Sequence, residues 1–394
     1  HLYARRQRQM CIRDRFDFSR SLQEVVDEGV RRGYQFDKNP LRASIVLDPI
    51  GSRKNSGDNT PALLTVDLVP GNTVSVYVSA KGGGSENKAK FAVLNPSDSV
   101  ADWVVDTVEK LGAGWCPPGI LGIGVGGSSD RAMAMAKKAL NDPLDMQALL
   151  KNGPQNKSEE LRIEIYERVN ALGIGAQGLG GVTTVLDVKI KSFPTHAASL
   201  PVGLIPNCAA TRHLHFTLDG TGVPNFETPD LAAWPEILLD EANKNARRVD
   251  VDNLNEETLA SLKIGETLLL NGTIYTGRDA AHKRIVNFLD EGKSLPVNLE
   301  NQTIYYVGPV DAVGDEVIGP AGPTTSTRMD KFTDRVLGDT GLKLMIGKAE
   351  RGPEAIEAIK KHKAVYAIAV GGAAYLVSKA IKEAEPVAFK DLGM

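Results

Sequence analysis

Apolar residues recur at helical spacing in Ser21–Gly33, where Leu22, Val25, Val26 and Val30 share a face, so the pattern predicts a helix there. The period then changes. In Ala62–Val78 two alternating runs meet at Pro70-Gly71-Asn72, the pattern of a β-hairpin. Lys81-Gly82-Gly83-Gly84-Ser85 reads as a Gly-rich loop, and Ser99–Leu111 as a second helix. Gly119–Gly127 is a short apolar strand ending in glycines, followed by a helix over Ser129–Leu140. Ser158–Leu172 is helical, with an acidic start that complements its dipole, and Val182–Ile190 alternates like a strand.

From Asp230 to Asn255 the pattern becomes acidic, helical and then irregular, which marks a linker over 230–255. A new unit follows, with a strand-rich entry at Ala260–Thr273, a strand at Thr303–Pro309 and helices at Met329–Leu337 and Glu354–His362. Ala364–Val370 reads as a buried strand closed by Gly371-Gly372. Strands and helices mix in both halves, so the expected class is α/β (mixed α+β), and no internal repeat is visible.

Composition narrows the function. The 394 residues suffice for two or three domains, and 42% hydrophobic with 24% charged residues is ordinary for a globular chain. A net charge of −3 offers no strong positive field to nucleic acid or an anionic membrane, and 6% aromatics leaves few platforms for base stacking. Neither nucleic acid nor a membrane is therefore an expected partner. No apolar run reaches the length of a membrane span. The segment 1–15 carries five Arg and one Asp, has no apolar signal region, looks adaptor-like, and is expected to lie outside the fold. With the abrupt stop at Asp391-Leu392-Gly393-Met394, it leads to the expectation of truncation at both ends.

Three cysteines, Cys11, Cys116 and Cys208, are too few and too scattered for a disulfide scaffold. Buried thiols and metal ligands both remain open readings. Cys116 sits in Gly114-Trp115-Cys116-Pro117-Pro118-Gly119 and Cys208 in Pro206-Asn207-Cys208-Ala209, where proline fixes φ and glycine permits unusual turns. Such rigid presentation suits a thiolate that must meet a cluster edge. Cys208 with His213 and His215 matches no structural zinc spacing well and lacks an obvious fourth ligand. Gly122, Gly124 and Gly127 spell G-x-G-x-x-G, yet the expected next strand with its acidic residue is missing. Tight turns or close backbone approaches explain these glycines, and Gly173, Gly175 and Gly178, more simply than a dinucleotide does. In the second half, Gly322-Pro323-Thr324-Thr325-Ser326-Thr327-Arg328, Tyr275-Thr276-Gly277-Arg278 and Gly347-Lys348 combine hydroxyls with cations. A guanidinium grips both oxygens of a carboxylate while hydroxyls fill the remaining lone pairs, so these runs favour an anionic substrate.

These residues carry a recognisable pattern. The runs Asn39-Pro40-Leu41-Arg42-Ala43-Ser44, Asp58-Asn59-Thr60-Pro61-Ala62 and Lys81-Gly82-Gly83-Gly84-Ser85-Glu86-Asn87-Lys88, the two Cys segments, Gly272–His282 and Gly322–Asp330 resemble class I, iron–sulfur-dependent fumarases, the family related to L(+)-tartrate dehydratase. The resemblance extends from about Phe18 to Met394. It implies a cluster-binding α/β domain over 16–229 and a C-terminal swivelling β/β/α-type, substrate-clamping domain over 256–394. It further implies a [4Fe–4S] cluster on three cysteines, of which Cys116 and Cys208 match two. The third belongs to a Cys-Gln-Asp-Thr-Gly stretch absent from this sequence, and Cys11 does not match it.

The implied chemistry is reversible hydration of fumarate to (S)-malate. An open iron serves as Lewis acid, Arg42, Gly84, Arg278, Thr325, Arg328 and Lys348 bind substrate, and Thr324 and His196 serve the proton transfers. A threonine base needs nearby cations to lower its pKa, and His196 needs an orienting partner such as Asp187. A cytoplasmic homodimer of the citric acid cycle is also implied by the resemblance. Three other readings stand beside it: a tartrate or related dicarboxylate hydro-lyase, a nicotinamide-dependent oxidoreductase using Gly122, Gly124 and Gly127, and an inactive fragment that folds but assembles no complete cluster.

Overall fold

A computed structural model describes residues 20–36, 41–224, 226, 245–312, 314–370 and 374–392. The segment 1–15 with Cys11, Asn39-Pro40, most of the acidic stretch after Asp230, Gly371-Gly372 and Met394 lie outside the described residues.

Helix α1 (Leu22–Tyr34) begins at Ser21, whose hydroxyl accepts from Glu24 N–H while the Glu24 carboxylate accepts from Ser21 N–H. Its apolar stripe is not buried: Leu22 and Val25 stay 40% and 43% exposed. Polar contacts hold it instead, Asp27 accepting from Ala62 N–H and Arg31 pairing with Asp58. The stretch from Ala62 does not form a hairpin. Strand β1 (Val74–Ala80) follows it, and its partner is the distant β6 (Arg212–Leu218), antiparallel from Val74 opposite Leu218 to Ala80 opposite Arg212. The alternation in β1 does mark a strand, but period alone does not name a partner. The Gly-rich loop tightens into a helical turn, α2 (Gly83–Glu86).

The first core is a four-stranded sheet in the order β2-β5-β3-β4, with β2 at Lys90–Leu94, β3 at Gly119–Gly126, β4 at Val185–Phe193 and β5 at Leu200–Cys208. β3 runs parallel to β4 and antiparallel to β5. Helices α3 (Val100–Leu111), α4 (Ser129–Ala139), α5 (Met146–Asn152) and α6 (Lys157–Ala171) cover it. On one face Leu121, Ile123, Val188, Val202 and Leu204 pack with Val104, Val108, Trp115, Ile165 and Val169. On the other, α4 presses onto bare backbone. A Cβ on Gly122 would lie 2.3 Å from the Ala136 carbonyl oxygen, and one on Gly124 1.9 Å from that of Ala132. Close helix–strand packing thus accounts for both glycines of the G-x-G-x-x-G match, while Gly127 has a left-handed φ of 70°.

The second unit holds a four-stranded parallel sheet in the order β12-β11-β10-β9: β9 (Tyr275–Thr276), β10 (Thr303–Tyr305), β11 (Leu344–Gly347) and β12 (Val365–Ile368). β12 is a half-buried edge rather than a buried strand. A separate parallel pair, β7 (Arg247–Asp250) and β8 (Leu268–Asn271), packs Val249 and Val251 against Leu344. Part of the stretch expected as linker, 230–255, is therefore strand joined to this unit. Helix α7 (Glu256–Ala260) lies between them, and α8 (Asp279–Asp290), α9 (Asp330–Thr340), α10 (Pro353–Lys361) and α11 (Ala374–Ala380) follow. Tyr306, Met329, Leu337, Leu342 and Met345 form the second core. Both units are α/β.

The close approach of α4 to Gly124 has a direct test. Gly124→Ala should lower the unfolding free energy by about 2 kcal/mol or more, because the nearest obstacles are helix backbone and cannot swing away. Gly33→Ala in α1 has nothing within 4 Å and should stabilise by roughly 0.5–1 kcal/mol. Urea titrations of the two variants compare them, and equal effects would refute the packing account.

Candidate active site at the junction of the two units

Cys116 ends the turn after α3. Its φ of +65° is left-handed, and its N–H donates to Ala113 C=O at 2.9 Å. Fully buried Trp115 anchors the turn on one side. On the other, Pro117 C=O accepts from both the backbone and the side-chain amide of Gln177, at 2.7 and 2.9 Å. Cys208 closes β5, and the antiparallel register sets it opposite Gly119, three residues beyond Cys116. Cys208, then Lys348 and Lys81, lower the pKa of the Cys116 thiol against the effect of burial, while Cys116 and burial push Cys208 up.

The second unit delivers a cation to this pair. Lys348, at the end of β11, donates its Nζ–H to Cys116 Sγ at 2.8 Å. A Cβ on Gly84 would lie 3.9 Å from Lys348 Nζ and 4.0 Å from Cys116 Sγ, so α2 borders the same space. Lys81 adds a second cation, paired with Glu86 and held by Ser85. Glu350 ties the Lys348 loop to the Cys116 turn by accepting from Ala113 N–H at 3.3 Å.

The hydroxyl-rich loop is stitched to Lys348 through backbone. Thr324 N–H donates to Tyr306 C=O, Lys348 N–H to Thr324 C=O, and Ser326 N–H to Lys348 C=O. Tyr366 braces this loop, sharing a hydrogen bond with Ser326 Oγ at 2.7 Å and donating to Ala349 C=O. Thr324 and Thr325 are half-buried. Next to them stand three guanidinium groups. Arg278 precedes α8, Arg328 pairs with Asp279 at 2.8 Å, and Arg42 reaches from the first unit to Gly308 C=O at 2.7 Å. Burial, then Arg42 and Arg328, lower the pKa of Arg278, and its buried Nε has no hydrogen-bond partner.

Nine of the expected site residues thus gather into two connected groups: Gly84, Cys116, Cys208, Lys348, Thr324 and Thr325, and Arg42, Arg278 and Arg328. His196 does not join them. It is exposed, and its Nδ1 accepts from Ala198 N–H in its own loop. Asp187 does not orient it, because that buried carboxylate pairs with Arg162 and Lys189 and caps α5 through the N–H groups of Asp145 and Met146. Sequence reasoning misses Lys81, Gly308 and Glu350. Lys81 and Gly308 stand in runs already quoted, but nothing local marks a residue whose partner lies in the other unit.

Two thiols that meet beside cations fit two corners of an iron–sulfur cluster. Among the described residues there is no group of three or more His, Cys, Asp or Glu able to hold a metal, so a third thiolate is not among them. His213 and His215 lie on the exposed β6, where His215 stacks on Tyr77 at 4.1 Å, away from any zinc role.

Comparison with known families decides the matter of kinship. The sequence model described as Fumarate hydratase (Fumerase) matches residues 10–217, and that of the Fumarase C-terminus matches 220–394. The chain belongs to the fumarate hydratase family. The anaerobic class I fumarate hydratase of Escherichia coli is 31% identical over 387 residues, covering 94% of this chain and 70% of that protein. The aerobic class I fumarate hydratase of Salmonella typhimurium is 33% identical over 385 residues, covering 94% of this chain and 66% of that protein. A Methanocaldococcus jannaschii protein named as a proposed L(+)-tartrate dehydratase alpha subunit is 37% identical over 198 residues, which is 48% of this chain and 66% of that protein. The chain therefore spans about two thirds of the length of these family members.

His282 offers a pH test of the clamp's support. It is fully buried on α8, with Nδ1 at 2.8 Å from Arg278 C=O and Nε2 without a partner, and burial lowers its pKa to about 4. The unfolded chain binds a proton below about 6.5, whereas the folded one does not until about 4. Stability should therefore fall as pH drops through this window, by up to about 3 kcal/mol. Urea unfolding of wild type and His282→Gln between these pH values checks it, and the variant should lose most of that dependence.

Proposed function

We propose that this chain forms the catalytic site of a hydro-lyase that reversibly hydrates fumarate to (S)-malate, with Cys116 and Cys208 as two of the thiolates of a [4Fe–4S] cluster. The observation that carries this reading is the meeting of the paired thiols with Lys348 beside an arginine cluster in which Arg278 Nε is buried and unpartnered. Buried cations with open hydrogen-bonding capacity call for an anion. When bound, the cluster supplies a Lewis acid for the added hydroxyl.

The chain's own residues do the rest. Arg278, Arg42 and Arg328 neutralise the carboxylates, and charge that grows on one carboxylate as the neighbouring carbon loses its proton is held there. Lys348 brings a cation to the seam between thiols and substrate, with Gly84 leaving room for close approach. Thr324 Oγ1 takes the proton at carbon, in a loop clasped between Tyr306 and Lys348. Thr325 binds the neighbouring carboxylate oxygen, whereas the exposed His196, held within its own loop, has no part in the proton transfers. The substrate is a small dicarboxylate. A homodimer is supported by the exposed β1–β6 ribbon, where Tyr77 and Val78 are 52% and 51% exposed. Among the described residues no helix is long and apolar enough to cross a membrane, and a cytoplasmic location accords with the proposed central-metabolic role.

The test uses the full reading frame of the gene, loaded with iron and sulfide without oxygen, and follows fumarate absorbance. Cys116→Ser and Cys208→Ser should each abolish turnover, and Arg278→Met should lower kcat/KM by about a hundredfold or more, the usual effect of removing one partner of a buried charge pair. Prolonged air should abolish activity. A cluster-bearing protein that leaves fumarate untouched would sink the assignment, and L(+)-tartrate would be tried next. Sedimentation velocity should give twice the mass of the polypeptide tested, and a monomer would remove the dimer.

A further inference from the structure

Gly308 touches two of the three clamp arginines at once. Its carbonyl oxygen accepts from Arg42 Nη1 at 2.7 Å, although Arg42 lies 266 positions earlier and in the other unit. Its Cα faces the guanidinium of Arg278. A Cβ there would stand 2.8 Å from Arg278 Cζ, 2.8 Å from Nε and 3.1 Å from Nη2. Backbone conformation does not explain the glycine, because its φ is outside the left-handed region, and Ala would fit that backbone without strain. What requires glycine is the space taken by Arg278. The two guanidinium groups repel each other, Arg328 adds to that repulsion, and Asp279 is already paired with Arg328. A carbonyl dipole fixes Arg42, and the bare Cα lets Arg278 settle close beside it.

We propose that Gly308 is a positioning residue that sets the spacing of Arg42 and Arg278, and with it the seat for one carboxylate of the substrate. The seat follows from the geometry alone; its assignment to a dicarboxylate substrate rests on the hydro-lyase reading above. A methyl group at this position pushes the guanidinium away from the seat. It does not break the backbone, because the obstacle is the far end of a flexible side chain.

Calorimetric titration of the full chain with L-malate and, separately, with inorganic sulfate reads the seat in wild type, Gly308→Ala, Arg278→Ala and the double variant. Gly308→Ala should weaken both ligands by about tenfold, with the ligand-free melting temperature unchanged. In the Arg278→Ala background the same change should cost less than about twofold, since residues acting through each other are not additive. In the cluster-loaded enzyme KM should rise by a larger factor than kcat falls, the mark of lost ground-state binding. If Gly308→Ala alone fails to fold, recovery of the fold in the double variant supports the same steric conclusion, and an unfolded double variant overturns it. Undiminished affinity in Gly308→Ala, or fully additive losses, would overturn the proposal. Wild type that binds sulfate but not L-malate would overturn the hydro-lyase reading and leave the seat judged on sulfate; binding of neither would overturn both.

Discussion

The contact between Lys348 Nζ and Cys116 Sγ is the constraint on which the candidate site depends, because it joins residues 232 positions apart and from different units. Neither half makes a site alone. The first unit offers two facing thiols and Arg42, and the second a hydroxyl-rich loop and two further arginines with no thiol. An ammonium buried at 9% exposure is costly without a partner, and Lys348 joins Cys208 in drawing the buried Cys116 thiol down. Each group relieves the other, so the closed arrangement is the one in which both are satisfied. Glu350 on the Cys116 turn and Arg42 on Gly308 add two more crossings at the edges of the same seam. The polar character of these crossings is what domain interfaces within one chain commonly show.

Strong local pattern is legible in the amino-acid sequence alone. Helices over Leu22–Tyr34, Val100–Leu111 and Lys157–Ala171 stand within a residue or two of their expected limits, each begun by a side chain that accepts from the third helical N–H. The strand at Gly119–Gly126 is equally plain. The hairpin expected over 62–78 does not form, because alternation in β1 carries no information about its partner, which arrives more than a hundred residues later. The capped stripe of α1 has the spacing of a core face, yet the helix is held at the surface by Asp27 and Arg31.

The site divides in the same way. Residues in ordered runs, such as Arg278, Thr324, Thr325 and Lys348, can be named from their chemistry and their resemblance to a family. Which residue faces which cannot be read there. In sequence Asp187 is a carboxylate that could orient His196; in the fold it is surrounded by Arg162, Lys189 and the start of α5. The glycines at 122 and 124 have the spacing of a phosphate turn; in the fold they make room for α4. Both cases turn on non-local packing, which short sequence spacing cannot report.

One consequence of the β3–β5 register concerns how this protein tolerates change. Cys208 reaches its partner thiol only because Gly119 lies directly opposite it. Side chains alternate between the faces of a sheet, so a slip of one residue would not shift the sulfur slightly but turn it to the far side. The arrangement is thus all-or-none: insertions or deletions within β3 or β5 erase the thiol pairing at a stroke, whereas those in the exposed loop around His196 leave it untouched.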